Sequence, residues 1–166
     1  MNQEVTNSRD DEVRDELPEL PLSPHPNYVT AEGLAQLRKR LADGEARLAG
    51  LEQDRVGEED DRLHIERELR WLQARAGSAI ELPAERRRED RVGFGASVEV
   101  VGEDGQRHRY RIVGEDEADP DEGLISWVSP LARALEGAQV GESVVWERPA
   151  GDLRVEVRAV SHTAPG

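Results

Sequence analysis

The sequence predicts an α+β protein: an antiparallel helical hairpin followed by a small antiparallel sheet domain with one short helix. Three observations predict it. Leucines and isoleucines recur at heptad spacing in two runs that flank an acidic, glycine-containing segment. Beyond Val92 the pattern changes to alternation punctuated by turn signals. The 166 residues are 35% charged and 4% aromatic, with a mean hydropathy of -0.73. That is too polar for one large core and fits an elongated, two-part molecule.

Residues 1–26 read as a disordered acidic tail. Asp10, Asp11, Glu12, Asp15, Glu16 and Glu19 crowd it with like charge, and Pro18, Pro21, Pro24 and Pro26 obstruct helix and sheet alike. Leu17, Leu20 and Leu22 could dock on a partner, but a solvated tail is the simpler expectation.

Residues 27–83 read as a coiled-coil hairpin with an acidic tip. Thr30 suits a helix N-cap, with Glu32 in the first turn facing the positive end of the helix dipole. Leu34, Leu37, Leu41, Leu48 and Leu51 then occupy a and d positions, with Gly44 the one weak site. Ile65, Leu69, Leu72, Ala76 and Ala79 form the second stripe. Each stripe is buried when the two fold against each other. A first helix of about 25 residues gives an arm of roughly 37 Å. Between the stripes, Gly57 permits the reversal, and Asp60 or Asp61 can cap the second helix. Four consecutive carboxylates, Glu58, Glu59, Asp60 and Asp61, exceed what a cap needs. Pro83 is expected to end the second helix.

Residues 84–91, with Arg86, Arg87 and Arg88, read as a charged linker. Residues 92–162 read as the sheet domain. Val98 and Val100 lead through Glu103-Asp104-Gly105, a hairpin turn signal, to Tyr110 and Ile112. Leu124 to Val128 is a short strand. Ser129 caps a helix that opens on Pro130 and runs to Leu135, with Gly137 beyond it. Val144 to Trp146, a turn at Pro149 to Asp152, and Leu153 to Val160 complete the sheet.

The second half also carries a family resemblance. Arg111-Ile-Val-Gly114, Asp116-Glu-Ala-Asp119, Ile125-Ser126, Ser129-Pro-Leu-Ala-Arg-Ala-Leu135, Val140-Gly141 and Pro149-Ala-Gly151 follow one another in order. Together they resemble the C-terminal domain of the GreA/GreB transcription elongation factors. The resemblance implies an FK506-binding-protein-like (FKBP-like) sheet domain. It also implies a partner, bacterial RNA polymerase, gripped at the rim of its secondary channel. The matching docking positions are Ser129, Pro130, Leu131 and Arg133, although Val128 stands where relatives often carry a polar residue. Leu131 has a competing role in the core, as have Trp127 and Trp146. The resemblance further implies that the acidic tip assists cleavage of backtracked RNA, with Glu58, Glu59, Asp60 and Asp61 as the metal-assisting residues. Mg²⁺ shared with the polymerase active site would be the only ion involved.

At the tip the sequence departs from the family. The usual pattern resembles Gly-Asp-Leu-x-Glu-Asn-Ala-x-Tyr, whereas here Gly57 precedes four acids with no asparagine or tyrosine after them. The hairpin is also shorter than in cleavage factors, by roughly two to four turns of ~5.4 Å. The alternative is therefore a non-cleaving or inhibitory secondary-channel regulator, of the nucleoside diphosphate kinase regulator type.

Chemistry within the chain itself is poorly supported. There are no cysteines, and His25, His64, His108 and His162 are scattered. Ser129 lacks a His-Asp pairing and is better explained as a cap. The protein is expected not to be an enzyme, and to have no intrinsic catalytic residue or cofactor. A prolyl isomerase is disfavoured because only Phe94, Tyr110, Trp127 and Trp146 are available to line a proline pocket. A plain coiled-coil scaffold would not need the C-terminal signature. The net charge of -14 opposes autonomous nucleic-acid binding. No apolar run approaches the ~20 residues that span a bilayer. A cytoplasmic monomer is the expectation.

Overall fold

The computed structural model describes residues 17–51, 55, 57–82 and 88–162. The expected tail over 1–16, Pro83, and Arg86 and Arg87 of the linker lie outside the described residues.

Helix α1 spans Ala31–Ala49 and α2 spans Glu58–Ser78. Thr30 caps α1 by accepting from the Gly33 N–H at 3.1 Å. The first helix is shorter than the expected 25 residues: it has 19 and measures about 28 Å. At its end the ladder tightens from i−4 to i−3: Gly50 N–H is shared between the Ala46 and Arg47 carbonyls, and Leu51 N–H bonds the Leu48 carbonyl. Gly57, at φ 100, is the residue before α2, so Asp60 and Asp61 lie inside the first turn and do not cap it.

The helices run antiparallel. Arg40 reaches Glu68 at 3.3 Å, and Arg62 donates to the Leu51 carbonyl at 3.3 Å. Leu37, Ile65, Leu69 and Leu72 are buried along the seam. Gly44 is a fitted position, since a Cβ there would come within 2.7 Å of Leu69 Cδ2.

The second helix ends well before Pro83. Asn27 Nδ2 takes the Arg75 carbonyl at 2.7 Å and Ser78 Oγ at 3.2 Å, and the chain turns out of the helix. Strand β1, Tyr28–Val29, then pairs in parallel with β2, Ile80–Glu81, closing the base of the hairpin.

Residues 17–26 contain no helix or strand, but they are not a free tail. They lie along α2. Pro18 and Pro21 carbonyls accept from Arg67 at 3.4 Å and from the Trp71 indole at 3.2 Å, while Glu19 pairs with Arg70 at 2.7 Å. Proline has no N–H to donate, so this proline-rich segment leaves its carbonyls available to these donors.

The second half is built on strands β3 (Ser97–Gly102), β4 (Arg107–Val113), β5 (Leu124–Ser126), β6 (Ser143–Trp146) and β7 (Leu153–Ser161). Their order is β5-β4-β3-β7-β6. The expected all-antiparallel sheet is corrected to a mixed one, because β4 and β5 pair in parallel. The connection from Gly114 to Gly123 forms two short 3-10 turns and carries the chain back to the start of the edge, so β5 runs in the direction of β4. The β3–β4 hairpin turns at Gly105, φ 80, where Asp104 accepts from Gln106 N–H at 3.0 Å. Helix α3, Pro130–Leu135, packs Leu131, Ala132 and Leu135 onto Val98, Val100, Ile112, Val155 and Val157.

Candidate functional site

The second helix of the arm opens on an acidic first turn. Glu58, Glu59, Asp60 and Asp61 all fall there, and Glu59, Asp60 and Asp61 are exposed. Their charges face the positive end of the helix dipole, which favours them locally by about 0.3–1 kcal/mol each. Glu58 lies 3.7 Å from Arg55. Successive first-turn residues point to different sides of the helix. Among the described residues, no group of three or more His, Asp or Glu is arranged to hold a metal. The donors are carboxylate oxygens, which suit hard Mg²⁺, but they offer a partial ligand set. His64 is exposed and sits beside Leu20, Pro21 and Trp71.

The docking positions divide. Ser129 Oγ accepts from Ala132 N–H at 3.3 Å and so serves as the cap of α3. Leu131 is 3% exposed and belongs to the core, which removes it from the surface available to a partner. Pro130 and Arg133 are exposed. Phe94 and Trp127 join Tyr28, from the base of the hairpin, in lining a cavity of about 350 Å³ between the two halves.

A heavily bonded polar cluster lies at this joint. Arg75 is 4% exposed. Its Nε donates to Asp116 Oδ2 at 2.7 Å and its Nη2 to Asn27 Oδ1 at 2.8 Å. Beside it, the Glu117 carboxylate accepts from Thr30 N–H at 3.2 Å, from Gly114 N–H at 3.1 Å and from the Thr30 hydroxyl. Two glycines permit the approach. A Cβ at Gly33 would meet Glu117 Cδ at 2.1 Å, and one at Gly114 would meet the Tyr28 carbonyl oxygen at 2.4 Å. At the rim Arg111 reaches Glu32 at 3.4 Å. The Glu32 carboxyl is held below the usual range by its own backbone N–H first and then by Arg111.

Sequence reasoning placed Thr30 and the Asp116–Asp119 run but not Arg75 or Asn27. One signal was present: Arg75 follows Leu72 by three residues and so lies on the apolar side of α2, where a guanidinium needs an acid. Which acid it meets depends on a contact 41 positions away.

Comparison with known proteins matches the sequence to one family. A family model described as "Transcription elongation factor, GreA/GreB, C-term" matches residues 87–162. Transcription elongation factor GreA of Alkalilimnicola ehrlichii is 32% identical over 155 residues, covering 92% of this chain and 93% of that protein. Transcription elongation factor GreB of Neisseria meningitidis serogroup B is 39% identical over 99 residues, covering 59% of this chain. The match spans only 61% of that GreB's own length. Among solved structures, GreA factor homolog 1 of Thermus thermophilus is 23% identical with a TM-score of 0.40, over 82% of this chain and 99% of the other. The family assignment rests on the sequence matches: the chain belongs to the GreA/GreB family of transcription elongation factors.

Proposed function

We propose that this protein is a transcription elongation factor that acts on RNA polymerase and performs no chemistry alone. In this reading the sheet domain is an FKBP-like docking platform at the rim of the secondary channel, with Pro130 and Arg133 on its contact face. The coiled-coil arm carries Glu58, Glu59, Asp60 and Asp61 towards the active site. The carrying observation is the set of exposed carboxylates at the end of a two-helix arm. These oxygens would complete the coordination of a Mg²⁺ shared with the polymerase, which supplies an activated water for cutting backtracked RNA. The chain's own part is to present carboxylates, with one at the ion and another orienting water.

A second reading, a non-cleaving or inhibitory regulator, draws support from the arm. At 19 residues α1 is shorter than its leucine spacing predicts. The same acids would then hinder nucleotide addition. The test uses backtracked and active elongation complexes with the wild-type chain and the quadruple variant Glu58→Gln, Glu59→Gln, Asp60→Asn, Asp61→Asn. Stimulated cleavage that the variant loses supports the first reading. Slowed nucleotide addition that the variant relieves supports the second. A variant equal to wild type in both assays sinks both.

A further inference from the structure

The polar joint between hairpin and sheet domain is more elaborate than two flexibly tethered parts require. Its members come from three places in the sequence: Asn27 and Thr30 before α1, Arg75 near the end of α2, and Asp116 and Glu117 in the loop after β4. Two acids on one 3-10 turn therefore hold both ends of the hairpin. Asp116 holds the C-terminal helix through Arg75, and Glu117 holds the N-terminal helix through Thr30. Asn27 links the two sides by accepting from Arg75 Nη2 and donating to its carbonyl at 2.7 Å. Two anchor points on one rigid turn fix a direction, whereas one would leave a swivel. The glycines press the same conclusion. At Gly33 and Gly114 a single added carbon would overlap the Glu117 side chain and the Tyr28 backbone, so the halves meet without slack.

We propose that Arg75, Asp116, Asn27, Thr30 and Glu117 are positioning residues that set the angle of the arm and so aim its acidic tip. The inference rests on the tip-directed reading above. From Arg75 to Glu58 the helix runs about 25 Å, so a swing of about 20° at the joint moves the tip by roughly 9 Å. Displacements far smaller than that cost about a hundredfold when catalytic groups must be placed. The joint touches neither the tip nor Pro130 and Arg133, so loosening it leaves both surfaces chemically intact.

The test exploits the absence of cysteine from the chain. Ala49→Cys and Arg158→Cys, both exposed, accept spin labels on the arm and on the sheet domain. The full chain is expected to give one narrow distance distribution. Asp116→Ala with Glu117→Ala should broaden it, keep polymerase binding, and lower the effect on cleavage or nucleotide addition at saturating factor by ten- to a hundredfold. Melting followed by circular dichroism identifies a variant that fails to fold. Asp116→Asn, which keeps the volume, then carries the same readouts. An unchanged distance distribution overturns the proposal whatever the polymerase does. So does a broadened distribution with an undiminished effect at saturation. A wild-type chain with a narrow distribution but no polymerase effect refutes the functional reading instead, because the distance needs no polymerase.

Discussion

Removing Asp116 should destabilise the protein more than removing Arg75, although both break the same pair. Arg75 is 4% exposed and Asp116 14%. In Asp116→Ala the guanidinium stays buried and retains only the Asn27 Oδ1 acceptor at 2.8 Å and the Trp71 ring at 6.0 Å. A buried charge stripped of its partner costs about 3–5 kcal/mol, and the remaining contacts put this case near 3. In Arg75→Met the aliphatic volume is kept and the charge is gone. Asp116, at 14%, is the partner nearer to water and is the less costly charge to leave alone, and the Asn27 oxygen loses its donor, for an expected loss of about 1–2 kcal/mol. For a chain of this size each kcal/mol lowers Tm by about 2–4 °C, so the expected drops are roughly 6–12 °C and 2–8 °C. Urea and thermal unfolding of the two single variants and the double variant measure this directly. The double variant should lie closer to Arg75→Met than to Asp116→Ala, since no orphan cation remains. If Arg75→Met is the more damaging single change, the burial asymmetry does not control this pair and the reasoning fails.

Three further outcomes are expected. Deleting residues 1–26 should lower Tm by a few degrees and shift Trp71 emission to the red, because the Pro21 carbonyl accepts from the Trp71 indole and Leu20 lines the same hollow; Trp71→Phe identifies its share of the signal. Attachment of the same segment should weaken in acid. Arg70 holds the Glu19 carboxyl below its usual range, so the contact contributes above the ordinary carboxylate pKa and is lost as pH falls through the depressed one. A pH titration of the Trp71 signal that stays flat from neutral down through that range would contradict this. Finally, Gly114→Ala should cost about 1–3 kcal/mol in urea unfolding, since its Cβ would lie 2.4 Å from a backbone oxygen that has no rotamer with which to yield.

How much was legible depended on how local the cause was. The α3 cap at Ser129, the turn at Gly105 and the leucine seam each follow from residues within a few positions of one another, and each stands where the spacing put it. Element ends were less legible. The second helix stops at Ser78 because Asn27, 51 positions earlier, bonds the Ser78 hydroxyl, and no local breaker announces that. Leu131 had a docking role and a core role open to it, the core role the stronger, and the core is where it lies.

That two apolar stripes pair, that a sheet follows, and that four acids share one turn can be read along the chain, because these are matters of period and of near neighbours. The parallel pairing of β4 and β5, the path of residues 17–26 over α2, and the meeting of Arg75 with Asp116 emerge with the fold. Each of these joins segments distant in sequence. Their partners are chosen by what comes close once the chain has folded, and a side chain's own chemistry states only that it needs a partner.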